Sequence, residues 1–170
     1  EGVQIMDRGA APGVTGGVLM VIGEDYGEGA SVIQERTHAY ALKCGLILLD
    51  PRPQLQNMVD LVEHAFAMSE ASHMPAMMEL RIRACHLRGS FTARDNRAPP
   101  VSTRALMEDP ARFDYARLAH PPVTFGHEKL KYDQRIPAAR RYIVEHGLNE
   151  LRPGRHAELG LIVQGGCFNT

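Results

Sequence analysis

The chain has 170 residues, of which 44% are hydrophobic and 23% are charged, as in ordinary soluble globular proteins. Its formal net charge is -1, which provides no general attraction for nucleic acid or for a membrane surface. The three cysteines, Cys44, Cys85 and Cys167, lie far apart without a C-x-x-C pair, which argues against a zinc site, a local iron–sulfur cluster and a disulfide framework.

Buried thiols in a reducing cytoplasm are the plain interpretation of these cysteines. The sequence contains no signal peptide and no apolar stretch long enough to span a bilayer. Residues 94–155 carry 12 of the 19 basic and 8 of the 20 acidic side chains, a local net charge of +4 that leaves -5 elsewhere. This asymmetry indicates either a solvated surface or an arm that contacts something acidic.

The first predicted elements are a strand and a helix joined by a glycine-rich turn. Val18–Ile22 is continuously apolar, which is typical of a strand buried on both faces. After the turn at 23–29, Ser31 and Gln34 have the spacing of a capping box and predict a helix start. We expect this helix to end just before Gly45.

A second and a third strand follow, with a helix between them. Leu46–Leu49 predicts a strand that the prolines of "DPRP" end. Apolar residues recur at helical spacing from Leu55 to Phe66, and Ala76–Ile82 predicts a strand interrupted by Glu79 and Arg81. The alternation predicts an α/β fold with a parallel sheet and crossover helices, in which ligands bind beyond the carboxyl ends of the strands.

The rest of the chain predicts an arm and one more strand. Residues 84–135 lack periodicity and are expected to form an extended arm packed on its neighbours, followed by a helix at about 138–146. Leu159–Val163 predicts a last strand before a Gly-Gly turn. The expected units are 1–89, the later part of an α/β domain; 90–157, a connecting arm; and 158–170, the first strand of the next domain. Because the chain opens on Glu1 and closes just after this strand, we expect a segment of a longer protein.

The turn "GEDYGEGAS" is the strongest local candidate for a binding site. Its glycines allow positive φ and close backbone approach, but its acids would repel a phosphate unless a cation or a donor-rich ligand intervenes. The pattern is not G-x-G-x-x-G, so a dinucleotide fold gains little support. The alternative interpretation is a tight turn with solvated acids.

Three other groups of residues are candidates for a site or for the core. His86 follows the third strand and is the best histidine for a site, although a structural hydrogen bond is the alternative. Arg81, Arg83 and Arg88 are candidates to bind a carboxylate or phosphate, or to pair with nearby acids. The methionines of the third strand and its approach, Met74, Met77 and Met78, are interpreted as core.

Several stretches, taken together and in order, resemble a known family. They are "GGVLMVIGEDYGEGASVIQERTHAYA", "LLDPRP", "LRIRACHLRG", "KYDQRIPAARRYIVEHGLNELRPG" and "LIVQGGCFNT". The sequence is similar to the large (alpha) subunits of indolepyruvate ferredoxin oxidoreductases, which are thiamine-diphosphate-dependent 2-oxoacid oxidoreductases. The resemblance implies the later part of a pyrimidine-type thiamine-diphosphate-binding domain, a connecting segment and the start of the next domain.

The resemblance also implies site residues. In the family this turn reads Gly-acid-Asp-(Pro or Tyr)-Gly and is followed by a serine pair; here Ala30 replaces the first serine. The residues implied to border the cofactor are Asp25, Tyr26, Gly27, Glu28 and Ser31. Tyr26 and Ser31 are further implied to contact substrate, and His86 is a third candidate. No catalytic residue is assigned within the segment, and no metal ligand.

The implied reaction is oxidative decarboxylation of an aryl 2-oxoacid to an acyl-coenzyme A. The implied cofactors are thiamine diphosphate, Mg²⁺ and [4Fe-4S] clusters, with the ligands of the Mg²⁺ and the clusters outside this segment. The implied partners are the small subunit, a second copy of the large subunit, ferredoxin, coenzyme A and the 2-oxoacid, in the cytoplasm, without nucleic acid or membrane.

The sequence lacks parts that this reaction needs. There is no Gly-Asp-Gly motif for the magnesium diphosphate, no cysteine-rich segment, and the family's activating glutamate aligns upstream of Glu1. We therefore expect the segment alone to be inactive. Two alternatives stay open: a non-catalytic flavodoxin-like or receiver-like α/β module that binds a partner, and a regulatory or degenerate paralogue without the catalytic domains.

Overall fold

A three-stranded parallel sheet forms the centre of the molecule. The computed structural model describes residues 12–25, 36–98, 102–110, 112–155 and 158–168. The strands are β1 (Leu19–Glu24), β2 (Ile47–Leu49) and β3 (Ala76–Arg81), in the order β1-β3-β2. Both neighbours run parallel to β3, and Leu19 and Ile47 each lie opposite Ala76. The predicted α/β fold with a parallel sheet is confirmed. The expectation that Val18–Ile22 is buried on both faces is wrong, because β1 is an edge strand of the described sheet and Val18 and Val21 are exposed.

Two crossover helices cover the two faces of the sheet. Helix α1 (Thr37–Cys44) joins β1 to β2, and helix α2 (Leu55–Ser72) joins β2 to β3. These crossovers travel in opposite directions across the sheet, and right-handed connections therefore place their helices on opposite faces. Ala41 and Cys44 of α1 pack against Met77, whereas Ala65 and Met68 of α2 pack against Met78.

The start of α1 differs from the prediction. The helix begins at Thr37, after Arg36 in a non-helical conformation, and the predicted capping residues Ser31 and Gln34 lie outside the described residues. The backbone N–H of Thr37 donates to the buried carboxylate of Glu24 at a distance of 3.2 Å. The cap is therefore supplied by a residue of β1, which a local pattern does not reveal.

The ends of both helices follow backbone geometry. Gly45 ends α1 with φ of 62°, as predicted, because glycine adopts the left-handed region without steric cost. Helix α2 continues past Phe66 to Ser72 and ends at His73, whose φ is 56°. Pro75 then prevents the helix from resuming.

The segment after β3 is more helical than expected. Helix α3 (Ile82–Cys85) follows β3 directly, α4 (Thr103–Glu108) begins at a Ser102 cap, and a 3-10 turn spans Tyr115–Arg117. Helix α5 (Val123–Leu130) runs through a π turn (Lys131–Arg135) into α6 (Ile136–Glu145).

The expectation of an extended arm is therefore wrong for 123–135, and only the helix predicted at 138–146 is confirmed. Helix α6 packs on α2 through Ala139, Tyr142 and Ile143. Residues 123–135 lack the apolar stripe that predicts a helix from sequence. A buried lysine attaches them to the rest of the fold instead.

That lysine, Lys131, joins the arm to α1. Its side chain is 2% exposed, and its Nζ donates to the carbonyl oxygen of Cys44 at 3.1 Å and lies 2.8 Å from the carboxylate of Glu128. A positive charge at the C-terminus of α1 is favoured by the helix dipole.

The predicted strand at Leu159–Val163 is absent: these described residues form no helix or strand. Leu159, Leu161 and Ile162 are exposed. An apolar run becomes a strand only where a neighbouring strand provides hydrogen bonds, and no described strand pairs with this run. Among the described residues, no helix is long and apolar enough to cross a membrane.

Replacing Lys131 should separate the arm from α1. We expect Lys131→Met to lower the free energy of unfolding by about 2 kcal/mol, because the Cys44 carbonyl and Glu128 both lose a charged hydrogen-bond partner. The control is Lys129→Met on the exposed side of α5, which should stay within about 0.5 kcal/mol of the parent. Urea unfolding followed by circular dichroism measures both, and equal values for the two variants would contradict this role.

Candidate functional site

The sheet face beneath α1 changes from apolar to charged towards the carboxyl ends of its strands. Side chains alternate along a strand, so Met77, Glu79 and Arg81 of β3 share one face. In the parallel register Ile22 lies opposite Glu79 and Glu24 lies opposite Arg81. With Asp50, which follows β2, these charged residues form what we call the carboxyl-edge cluster: Glu24, Asp50, Glu79 and Arg81.

Arg81 holds the cluster together. Its Nη2 donates to Asp50 at 3.0 Å and to the side-chain oxygen of Gln164 at 2.7 Å, and lies 3.4 Å from Glu79. Burial lowers the pKa of Arg81, but the hydrogen bond and the charge of Asp50, with the charge of Glu79, outweigh it and raise the pKa. Of the two roles considered from sequence, Arg81 therefore pairs with nearby acids. Arg83 and Arg88 are exposed.

Two buried glutamates lie side by side in the cluster. Glu24 is 2% and Glu79 is 1% exposed. Burial, together with a side-chain hydrogen bond to Glu24, raises the pKa of Glu79 to about 8, against the lowering effect of Arg81. A pKa of about 8 favours the neutral carboxylic acid form of Glu79 near pH 7, because burial and the neighbouring Glu24 outweigh the charge of Arg81.

A glycine turn near the end of the described chain covers the β2 and β3 side of the cluster. Residues Gly165–Cys167 form a 3-10 turn, and the N–H of Gly166 donates to Asp50 at 2.8 Å. A Cβ atom at Gly165 would overlap the carbonyl oxygen of Asp50, and one at Gly166 would overlap the Arg81 side chain. Only glycine permits this approach.

Phe168 fixes the same turn from its other side. The guanidinium of Arg152 lies 4.8 Å, and that of Arg52 5.2 Å, from the centre of its ring. The turn, called here the Gly-Gly turn (Gln164–Phe168), thus occupies the place where a ligand would otherwise meet β2 and β3. A ligand at the carboxyl edge would meet the β1 side.

The β1 side of the edge is accessible. Gly23 is exposed, and the Sγ of Cys85 lies 3.7 Å from where its Cβ would be. Asp25 follows β1 and is half-buried, and His86 follows α3 and is exposed. Both therefore lie at the predicted edge. Tyr26, Gly27, Glu28 and Ser31, the other predicted site residues, lie outside the described residues.

The burial of the methionines agrees with the prediction, whereas that of the cysteines agrees only in part. Met74, Met77 and Met78 are buried, as expected of core residues. Cys44 is buried and Cys167 half-buried, but Cys85 is exposed. The expectation of buried thiols is wrong for Cys85, because the short α3 lies at the accessible edge. Within the described part of the chain, no group of three or more His, Cys, Asp or Glu side chains is placed to hold a metal ion.

Sequence reasoning missed most of the carboxyl-edge cluster. From sequence, Glu79 is predicted only to interrupt a strand and Asp50 only to lie in a proline turn, whereas Arg81 is a candidate to pair with nearby acids. An acid inside an otherwise apolar strand was the available signal, because a buried charge requires a partner. Its partner on β1 could not be identified without the strand register.

Comparison with known proteins gives two similar curated relatives. The chain is 26% identical over 161 residues to indolepyruvate oxidoreductase subunit IorA of Methanothermobacter marburgensis. It is 29% identical over 165 residues to the subunit of the same name from Methanothermobacter thermautotrophicus. Each match covers 94% of this chain, which spans about 25% of the length of each relative. No protein-family profile matches the chain, and no solved structure matches it.

A side chain at position 165 should prevent the Gly-Gly turn from packing against Asp50. In Gly165→Ala the new methyl group collides with the Asp50 backbone, so we expect Cys167 to react with iodoacetamide about tenfold faster, a change of ~1.4 kcal/mol. Peptide mass spectrometry measures this rate, with the exposed Cys85 as internal reference. Gly160→Ala is the control, since nothing lies within 4 Å of its added Cβ. An unchanged Cys167 rate in Gly165→Ala would show that the turn is not docked.

Proposed function

We propose that this chain forms one wall of a thiamine diphosphate site in a 2-oxoacid oxidoreductase that decarboxylates aryl 2-oxoacids of the indolepyruvate type. The observation that carries the proposal is the position of Asp25, directly after the parallel edge strand β1 and at the accessible side of the carboxyl edge. In parallel sheets this edge is where ligands bind. The similarity to IorA subunits along nearly the whole chain supports the choice of ligand.

The described residues fit one end of thiamine diphosphate. The exposed Gly23 leaves room for a ring, and the carboxyl group of Asp25 is an acceptor suited to the amino group of the pyrimidine or to a cationic ring. Arg81, the guanidinium within the carboxyl-edge cluster, is held by Asp50 and Gln164 and is not assigned to the diphosphate end. The diphosphate and its Mg²⁺ would bind elsewhere in the enzyme.

In this proposal Asp25 orients the aminopyrimidine, with Gly27 and Glu28 beside it. Tyr26 and Ser31 donate hydrogen bonds to the substrate, and His86 lies at the same edge as a further substrate contact. When bound, thiamine diphosphate supplies the nucleophilic carbon and the electron sink that allow a 2-oxoacid to lose carbon dioxide. In the complete enzyme, iron–sulfur clusters held by other segments would supply electron transfer to ferredoxin, and coenzyme A would receive the acyl group.

The arm is the part of the chain best suited to subunit contacts in this enzyme. Large apolar side chains along it face solvent: Met107, Phe113, Tyr115 and Phe125 are each at least 70% exposed. Exposed apolar surface on this scale is typical of protein interfaces. We assign it to contacts with other parts of the same enzyme, namely the small subunit or a second large subunit.

The proposal is tested with the complete gene product together with its small subunit. We expect Asp25→Asn to weaken thiamine diphosphate binding about tenfold in the presence of Mg²⁺, because a charged hydrogen bond worth ~1.5 kcal/mol is lost. Calorimetry measures the affinity. Asp109→Asn, an exposed acid on the arm, is the control and should bind normally.

Substrate turnover gives a second measurement. Tyr26→Phe should raise KM for an aryl 2-oxoacid while cofactor affinity stays unchanged. Full cofactor affinity in Asp25→Asn would contradict the role of that residue. If the unmodified protein fails to bind thiamine diphosphate at all, the proposed function is wrong, and the partner-binding α/β module becomes the better account.

A further inference from the structure

Glu79 has a position that the proposed function does not explain. It lies within β3 after three buried apolar residues, Ala76, Met77 and Met78, and is itself 1% exposed. Neither of its carboxyl oxygens has a conventional hydrogen-bond donor among the described residues. An ionised carboxylate in such a place is costly, so its protonation state decides whether the sheet edge is stable.

The groups that face Glu79 come from four parts of the fold. Glu24 lies beside it on β1, Arg81 lies 3.4 Å away on its own strand, and Asp50 approaches from the end of β2. Helix α1 contributes the N–H of Thr37, which donates to Glu24. The next residue of α1, His38, has a buried ring nitrogen. The Gly-Gly turn contributes Gln164, which is bound by Arg81.

The two glutamates differ in what stabilises a negative charge. One oxygen of Glu24 already accepts the N–H of Thr37 at the positive end of the α1 dipole, whereas neither oxygen of Glu79 accepts a backbone N–H among the described residues. Two ionised carboxylates have only acceptors, so a hydrogen bond between Glu24 and Glu79 requires a proton on one of them. That proton belongs on Glu79.

We propose that Glu79 is a positioning residue, whose carboxylic acid proton bonds Glu24 and so holds Glu24 against the N-terminus of α1. Asp25 follows Glu24 directly in the chain, so the same contact fixes where Asp25 stands at the accessible edge. This second step rests on the proposed function, whereas the Glu79–Glu24–Thr37 connection does not.

The sign of the pH dependence follows from linkage. Glu79 keeps its proton in the closed form up to about pH 8, whereas an opened, solvated Glu79 releases it near 4.5. Opening of the α1 N-terminus is therefore increasingly favoured as pH rises from about 4.5 towards 8, and the dependence ends above about 8. Glu79→Gln keeps the bond, since its amide donates to Glu24, and has no proton to lose.

Hydrogen–deuterium exchange on the whole protein tests this. In the parent, the protection factors of the amides at 37–40 should fall by up to about tenfold per pH unit between pH 6 and 8, and then become constant. In Glu79→Gln they should change less than about twofold over the same range. The amides of Ile136–Glu145 are the reference for global opening. The same slope at 37–40 in parent and variant would overturn the proposal.

Two further measurements keep the outcomes separate. In the parent, the carboxyl carbon of Glu79 observed by NMR should titrate with a pKa far above that of an ordinary glutamate. A pKa near 4.5 overturns the proposal even if Glu79→Gln does not fold. Thiamine diphosphate affinity should decline towards pH 8 in the parent and stay level in Glu79→Gln. Absence of cofactor binding together with the expected exchange behaviour would refute the proposed function and leave the role of Glu79 in place.

Discussion

Helix α1 is held at its two ends by buried side chains of opposite charge that belong to other parts of the chain. Glu24 accepts the N–H of Thr37 at one end, and Lys131 donates to the carbonyl of Cys44 at the other. A helix of 8 residues is not stable alone in water, and Arg36 at the N-cap position is not a capping residue type. The sheet edge and the arm therefore depend on the same short helix, and each contributes the charge that the helix dipole favours.

The carboxyl edge of the sheet is divided by this arrangement. On one side Asp50 and Arg81 bind each other and the Gly-Gly turn, so polar groups that a ligand would use are already satisfied within the chain. On the other side Gly23 and Asp25 are reachable from solvent. The Gly-Gly turn covers the β2 and β3 side of the edge, so a ligand can reach only the β1 side. The proposed cofactor contact is therefore confined to the few residues at the end of β1.

The sequence was informative where structure follows from local pattern. The three parallel strands, the two crossover helices and the glycine at the end of α1 all come from periodicity and backbone preference, which act over a few residues. The carboxyl-edge cluster could not be predicted, because the pairing of Glu24 with Glu79 depends on the register of β1 against β3. Helix α5 was missed because Lys131 anchors it to Cys44, far away in sequence. Asp25 and His86 were placed at the correct edge by topology alone, while their chemistry is still a prediction.

The π turn at Lys131–Arg135 lets the continuous helix formed by α5 and α6 contact both α1 and α2. A π turn takes up one residue more than an α turn, and one residue corresponds to about 100° of rotation about the axis. Lys131 can therefore reach α1 while Ala139 and Tyr142, further along, pack against α2. In a homologue that lacked one residue here, α6 would be rotated relative to α5, so that the contact with either α1 or α2 would be lost. Conservation of length at this turn should thus be stricter than conservation of residue type, and insertions or deletions should be rarer here than in the flanking loops.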